Sequence, residues 1–397
     1  MTSVMGNYGR IEIAFDHGEG SWLVTTDGTR YLDCASGIAV NTLGHSHPEL
    51  VKAVQSQAGK LWHVSNLYRI PEQEALAETL TRLSGLDKAF FCNSGAEATE
   101  GAVKMARRAM HHRGESDRNI ILCAEGAFHG RTIAMLAATD RPAFREGFGP
   151  MPDGFDHFPF GNMNALRDML VADAETGTPK IAAIMVESVQ GEGGAKPLPP
   201  RFMEDLRALT TEFGCYLIAD EVQIGVGRSG HIFSFEPSGI TPDIVAMAKG
   251  LSGGIPVGAV LAIDEVADAM TPGSHGSTFG GNPIAMAAGL AVMSVLEAEG
   301  FMDDVRHRAY KLIETIDSLA EKYKGLFTRR GGGFLQGMVF KEEIPALDIV
   351  KALREHFVLS VPASENTVRL LPPLTIKEEE IDHLASVLEK VFSQFEM

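Results

Sequence analysis

Two charged residues close apolar runs of the kind that form buried strands. Cys215-Tyr216-Leu217-Ile218-Ala219 runs into Asp220, and Ile244-Val245-Ala246-Met247-Ala248 runs into Lys249 and then Gly250. Burying an ammonium is costly, so a lysine in that place predicts a depressed pKa and an amine nucleophilic toward an aldehyde. Viewed alone, Lys249 could also snorkel to the surface, and Asp220 could cap a helix. Two loops add further chemistry. Asn93-Ser94-Gly95-Ala96-Glu97 follows Phe90-Phe91-Cys92 and opens a helix predicted to reach about Ala109. The free N–H groups of Gly95 and Ala96 at such a helix start suit a phosphate, although Ser-Gly-Ala-Glu equally reads as a plain helix cap. Phe128-His129-Gly130-Arg131 offers an aromatic face and a guanidinium in one loop.

Jointly these parts meet the needs of one cofactor. Pyridoxal phosphate requires a lysine for its aldehyde, a carboxylate for its pyridine nitrogen, a helix N-terminus for its phosphate and an aromatic cover for its ring. Asp220 would keep the ring nitrogen protonated, so that the ring accepts the electrons left when a substrate loses a proton. No metal is expected. His45 and His47 in Gly44-His45-Ser46-His47-Pro48 have no carboxylate or cysteine partner at ligand spacing. His111-His112 ends the helix begun near Gly95 and suits its dipole.

Positioning these residues requires a sheet whose carboxyl edge gathers them. The apolar runs Lys88–Cys92, Asn119–Ala124, Ile181–Glu187, Cys215–Asp220, Ile244–Ala248 and Gly258–Ile263 alternate with helical stretches. That pattern predicts an α/β fold with a mostly parallel sheet covered on both faces. Asp27-Gly28 predicts a hairpin near the start, and Pro48 and Pro71 predict two helix starts. After Asn282-Pro283 come helical stretches over Ile284–Glu299 and Asp303–Tyr323, a Gly331-Gly332-Gly333 lead into a strand, and a last helix from Lys377 to about Phe395. The expected division is an N-terminal segment of a small domain (1–50), a large cofactor-binding domain (51–283) and a C-terminal small α/β domain (284–397).

Composition narrows the function classes. The chain has 397 residues, 45% hydrophobic and 22% charged, as ordinary globular proteins do. Its formal net charge of −17 argues against nucleic acid or an anionic membrane as partner. No apolar run approaches the roughly 18 residues that span a bilayer, and the polar start Met1–Arg10 predicts no signal peptide. Cys34, Cys92, Cys123 and Cys215 are scattered and read as buried, reduced thiols of a cytoplasmic protein.

The longer motifs carry a family resemblance. Asn93-Ser94-Gly95-Ala96-Glu97-Ala98, Phe128-His129-Gly130-Arg131-Thr132, Gln190-Gly191-Glu192-Gly193-Gly194, Asp220-Glu221-Val222-Gln223, Lys249-Gly250 and Ser277-Thr278-Phe279-Gly280-Gly281-Asn282-Pro283 resemble class III pyridoxal-phosphate-dependent aminotransferases. The segment Lys60-Leu61-Trp62-His63-Val64-Ser65-Asn66-Leu67-Tyr68-Arg69 is similar to the acetylornithine aminotransferase branch. The resemblance implies the fold-type-I architecture and a homodimer with shared active sites. It implies that Gly95 and Ala96 hold the phosphate, that Thr278 reaches it from the neighbouring subunit, and that Phe128 stacks on the ring. It further assigns Asp220 to the ring nitrogen, Gln223 to the ring oxygen and Lys249 to the covalent link. Arg131 and Ser277 would meet the acylated substrate and Arg369 an α-carboxylate. Glu192 would pair with Arg369 for an ω-amino donor and swing away for 2-oxoglutarate.

The stretch Gly37-Ile38-Ala39-Val40-Asn41 has glycine where enzymes that use free ornithine usually carry tyrosine. That leaves room for an N-acyl group, so N2-acetylornithine is the expected donor. Succinylornithine, N-succinyl-diaminopimelate and 4-aminobutyrate are the alternatives, and a pyridoxal-phosphate aminomutase is the alternative outside transamination. Ser188, Ile224 and the Tyr8–Glu12 segment depart from the usual pattern, which has a proline, a threonine and a further proline there.

Overall fold

Seven strands, several apolar along their whole length, build the central sheet of the computed structural model, which describes residues 3–395. Met1, Thr2, Glu396 and Met397, included in the expected outer bounds, lie outside the described residues. In spatial order the strands are Lys88–Cys92, Gly258–Ala262, Ile244–Met247, Tyr216–Asp220, Ile181–Val186, Ile120–Ala124 and Phe155–Phe158. Neighbours run parallel, except that Gly258–Ala262 is antiparallel to both strands beside it. Ile181–Val186, Tyr216–Asp220, Ile244–Met247 and Gly258–Ala262 are buried at every position, as strands covered on both faces must be. Each expected run forms a strand, trimmed by a residue where its end was drawn too far. The edge strand Phe155–Phe158 was not expected, because Asp156 and His157 interrupt its apolar pattern.

The helix Gly95–His112 lies on this sheet through Ala98, Ala102, Val103, Met105, Ala106, Ala109 and Met110, all buried. Its small residues let the backbone approach the strands closely. Among the described residues, no single helix is long and apolar enough to cross a membrane.

Two four-stranded sheets accompany the large one. Phe15–Glu19, Trp22–Thr25 and Arg30–Asp33 form a meander that Val358–Leu359 joins in parallel. The two ends of the chain are stitched further by Leu32 N–H to Phe357 O at 2.8 Å, Leu371 N–H to Cys34 O at 2.6 Å and Leu374 N–H to Thr42 O at 2.8 Å. The other sheet orders Phe327–Gly332, Leu335–Phe340, Thr367–Leu370 and Val361–Ala363, all antiparallel. Gly331-Gly332-Gly333 therefore closes a strand and turns the hairpin, where a strand start was expected. Gly333 is left-handed at φ 55°, and a Cβ there would lie 2.5 Å from the Ser229 carbonyl carbon, so only glycine fits this turn.

Asn282 caps the helix Pro283–Leu296 by accepting from Ala285 N–H at 3.0 Å, with Pro283 in the first turn. This helix packs on Pro71–Ser84 where Gly289 admits Leu76, and a Cβ on Gly289 would come within 2.7 Å of the Leu76 Cδ2. The contact fixes the Ser277–Asn282 loop just ahead of the helix. Gly289→Val should overpack this crossing and lower unfolding stability by about 1–3 kcal/mol, read as a lower urea midpoint. An unchanged midpoint would show that the crossing has slack.

Candidate active site

Lys249 follows the strand Ile244–Met247 and opens a short 3-10 turn, Lys249–Ser252, in left-handed backbone at φ 46°. For a non-glycine residue that conformation costs on the order of 1–3 kcal/mol and survives only where the surroundings over-determine it. Lys249 is half-buried, and the protein around its ammonium lowers its pKa to about 8. Desolvation is the first cause and the nearby Arg369 charge the second, while Glu192, Asp220 and Glu187 pull the other way. An amine so placed gives up its proton near pH 8, far more readily than an ordinary lysine.

On the adjacent strand, Asp220 is 4% exposed. One carboxylate oxygen lies 2.7 Å from Nδ1 of His129 and the other accepts from Val222 N–H at 3.0 Å. His129 is fully enclosed. Burial alone would lower its pKa, but the Asp220 hydrogen bond and charge outweigh it and raise the value well above the ordinary one. That shift favours a proton on the ring beside Asp220, and among the described residues the buried Nε2 has no hydrogen-bond partner. Glu187, at the end of Ile181–Val186, bridges two loops by accepting from Phe128 N–H at 3.0 Å and Gly191 N–H at 3.2 Å. Burial and then the Asp220 charge push its carboxyl up to about 7.

The start of the Gly95–His112 helix lies against the Asp220 loop, where a Cβ on Gly95 would meet Val222 Cγ1 at 2.7 Å. Ser94 accepts from Glu97 N–H at 3.2 Å, and the Glu97 carboxylate reaches back to Asn93 N–H at 2.8 Å. The cap thus uses neither Gly95 N–H nor Ala96 N–H, both first-turn donors. Ser277 accepts from Asn93 Nδ2 at 3.0 Å and from Gly280 N–H at 3.0 Å. Asn66 donates to the Ser277 and Gly280 carbonyls at 3.1 and 2.9 Å, which joins the Lys60–Arg69 segment to this loop. Thr278 is exposed, and among the described residues no hydrogen bond joins it to Gly95 or Ala96.

Arg369, on the strand Thr367–Leu370, is 1% exposed. It donates to Glu192 Oε1 at 2.6 Å and to Gln223 Oε1 at 2.7 Å. Gln223, expected at a ring oxygen, here spends its carbonyl on Arg369. Phe128 meets Phe144 edge-on at 6.1 Å, and the exposed Arg131 lays its guanidinium 3.5 Å from the Phe144 ring centre and 5.4 Å from that of Phe128. Arg131 has no carboxylate partner among the described residues.

His129 and Glu187 were not singled out from sequence. Glu187 carries the signal that flagged Asp220 and Lys249, a charged residue ending an apolar run. His129 stood in a motif noted for its neighbours, Phe128 and Arg131. Of the departures, Ser188 donates to Ser234 at 2.5 Å, and Ser234 in turn donates to buried Glu221. Ile224 is buried among Ala39, Val189, Ala195, Leu335 and Leu371. Both substitutions are thus absorbed by packing next to the site.

Comparison with known proteins agrees along the chain's length. The aminotransferase class-III family profile matches residues 4–392. The acetylornithine aminotransferase of Mesorhizobium japonicum is 49% identical over 375 residues, 94% of this chain and 92% of that protein. The protein of the same name from Rhodobacter capsulatus is 45% identical over 397 residues, 100% of this chain and 99% of its own. Among solved structures, the Toxoplasma gondii ornithine aminotransferase superimposes with a TM-score of 0.94 at 29% identity, covering 99% of this chain and 93% of that one. The acetylornithine aminotransferase of Elizabethkingia anophelis does so with 0.86 at 32%, covering 99% and 96%. Backbones of enzymes named for either donor thus fit this one, and side chains must tell the donors apart. With the profile and these relatives spanning almost every residue that builds the cleft, the chain belongs to the class-III aminotransferases.

Proposed function

We propose that the chain transfers the terminal amino group of N2-acetylornithine to 2-oxoglutarate, giving N-acetylglutamate 5-semialdehyde and glutamate in arginine biosynthesis. Its cofactor is pyridoxal 5′-phosphate. The observation that carries the reading is the ion pair at 2.6 Å between buried Arg369 and partly enclosed Glu192, whose charges both act on Lys249. An enzyme that handles first an ω-amino donor and then a dicarboxylate needs an arginine that can be neutralised and released.

The residues present fit the cofactor. Lys249 offers a desolvated amine, Asp220 a carboxylate braced by His129, and Gly95 and Ala96 first-turn N–H groups in a cradle that a larger side chain would fill. Phe128 would cover the ring, with Gln223 and Thr278 at its oxygen and phosphate. When bound, the cofactor supplies the electron sink for the pair left behind by proton removal. The Lys249 amine would then take the proton from the donor's amine-bearing carbon. In the second half-reaction it returns a proton to the carbon that becomes Cα of glutamate. Arg131 and Ser277 receive the acylated end of the donor while Glu192 balances the charge of Arg369. Arg369 then grips the α-carboxylate of 2-oxoglutarate in the two-pronged manner that suits a guanidinium.

The donor is read from the relatives' names and from Gly37. That glycine is exposed, and the nearest atom to a Cβ built on it is Asn41 Nδ2 at 3.4 Å, so the space beside it is open to an acyl group. The assembly proposed is a homodimer with shared sites in the cytoplasm. Its support is the apolar surface beside the phosphate loop, where Trp62, Leu67 and Phe279 are 66%, 87% and 62% exposed. The division at 1–50, 51–283 and 284–397 accords with the stitching of the two chain ends into one sheet.

The test is a donor panel on the cofactor-loaded protein without acceptor, following loss of its visible absorbance and recovery on adding 2-oxoglutarate. N2-acetylornithine should react fastest, with ornithine and 4-aminobutyrate slow. A rapid reaction with free ornithine would reassign the donor. Arg131→Met should raise KM for the acylated donor about 10- to 100-fold, the worth of a lost charge-assisted bond pair, and an unchanged KM would remove Arg131 from the donor site. In the cofactor-free protein, reductive methylation of Lys249 should titrate with a midpoint near 8. The amine is protonated and inert below that pH and reactive above it. Arg369→Met should move the midpoint upward, since a repelling charge is lost. A wild-type midpoint at the ordinary 10.5 would refute the desolvated amine.

A further inference from the structure

A carboxylate that leaves its arginine needs somewhere to go. Glu192 is partly enclosed, its side chain 23% exposed, so a swing that left it unpaired would strand a desolvated charge. The structure holds one other guanidinium at the same residue. Arg141 donates through Nη2 to the main-chain carbonyl of Glu192, which also accepts from Ser364 N–H at 3.1 Å. Arg141 Nε is buried with no acceptor, and among the described residues no carboxylate pairs with Arg141. Its guanidinium lies 5.7 Å from the centre of the Phe144 ring, the ring that carries Arg131 on its face. An orphaned, buried charge-bearing donor is costly, and the fold gives no other reason for it. Meanwhile Arg330 donates to the Gly194 carbonyl and to Thr367 Oγ1 at 3.1 Å. That ties the far end of the Glu192 loop to the strand bearing Arg369 without help from Arg141.

We infer that Arg141 is a positioning residue for the acceptor half-reaction, the second seat that receives the Glu192 carboxylate when 2-oxoglutarate takes Arg369. The loop stays clamped at both ends, and the side chain alone turns between two guanidinium groups. This rests on the Glu192–Arg369 switch proposed above. With Arg369 engaged by Glu192, Arg141 serves only the carbonyl. With Arg369 engaged by the dicarboxylate, Arg141 neutralises the displaced carboxylate.

The test measures both half-reactions separately on the holoenzyme. Arg141→Met should raise KM for 2-oxoglutarate about 10- to 100-fold while changing the donor half-reaction less than about threefold, a contrast set by one lost charge-assisted contact. Arg141→Lys should recover part of the loss. In a Glu192→Ala background, which has no carboxylate to house, Arg141→Met should cost the acceptor step nothing further. Arg141→Gln serves the same comparison should the methionine variant fail to fold. Equal losses in both half-reactions, or an acceptor defect that persists without Glu192, would overturn the inference and leave Arg141 a structural clamp. If Glu192→Ala alone left the donor and acceptor steps as in the wild type, the switch itself would fall, and this inference with it.

Discussion

The site depends on keeping several charges in a space too dry to hold any one of them alone. Lys249, Arg369 and His129 stand against Asp220, Glu187 and Glu192, with His129, Glu187, Asp220 and Arg369 all buried. An isolated ion there would neutralise or disrupt its surroundings. Together they hold one another near balance, while burial first and the Arg369 charge second loosen the hold of Lys249 on its proton against the pull of the three carboxylates. The sheet makes the crowd possible. Ile181–Val186, Tyr216–Asp220 and Ile244–Met247 are buried throughout, and Glu187, Asp220 and Lys249 stand at or just past their carboxyl ends. The helix start at Gly95 adds donors without adding another cation.

Much of this was legible in the sequence because the strands are buried on both faces and read as unbroken apolar runs. A charged residue at the end of such a run stands out, which is how Asp220 and Lys249 were found. The Ser94 cap and the Asn282-Pro283 pair likewise announce helix starts through local chemistry, and the helices begin there. What stayed hidden depends on partners distant in the chain. His129 matters because Asp220, 91 residues on, lies beside it, and Glu187 because it catches the Phe128 amide across 59 residues. Neither pairing leaves a periodic trace. The strand Phe155–Phe158 was missed because an edge strand needs no continuous burial, and Gly331–Gly333 misled because glycine marks a turn without saying on which side the strand lies.

Substrate choice sits on a different layer from catalysis. The groups expected to handle the cofactor come from the ends of the large sheet and the helix start beside it. Those that would judge the donor and acceptor come from turns and loops (Gly37, Arg131, Glu192) and from the small sheet that contains Thr367–Leu370 (Arg369). Backbones of enzymes named for ornithine and for acetylornithine overlay this chain almost throughout, so donor preference is carried by few side chains on a shared frame. Ser188 and Ile224 show how that frame tolerates change, one by joining a hydroxyl chain to Glu221 and the other by filling an apolar niche.

The pairing of Arg30–Asp33 with Val358–Leu359, together with the bonds from Leu371 to Cys34 and from Leu374 to Thr42, bears on how the protein is made. On the ribosome, the first strands emerge long before the residues that complete their sheet. The Gly37 loop therefore has no template until residues 357–374 have been synthesised, and Arg369 arrives with that same later segment. The nascent enzyme can assemble its central sheet early, but selectivity for its reactants comes last.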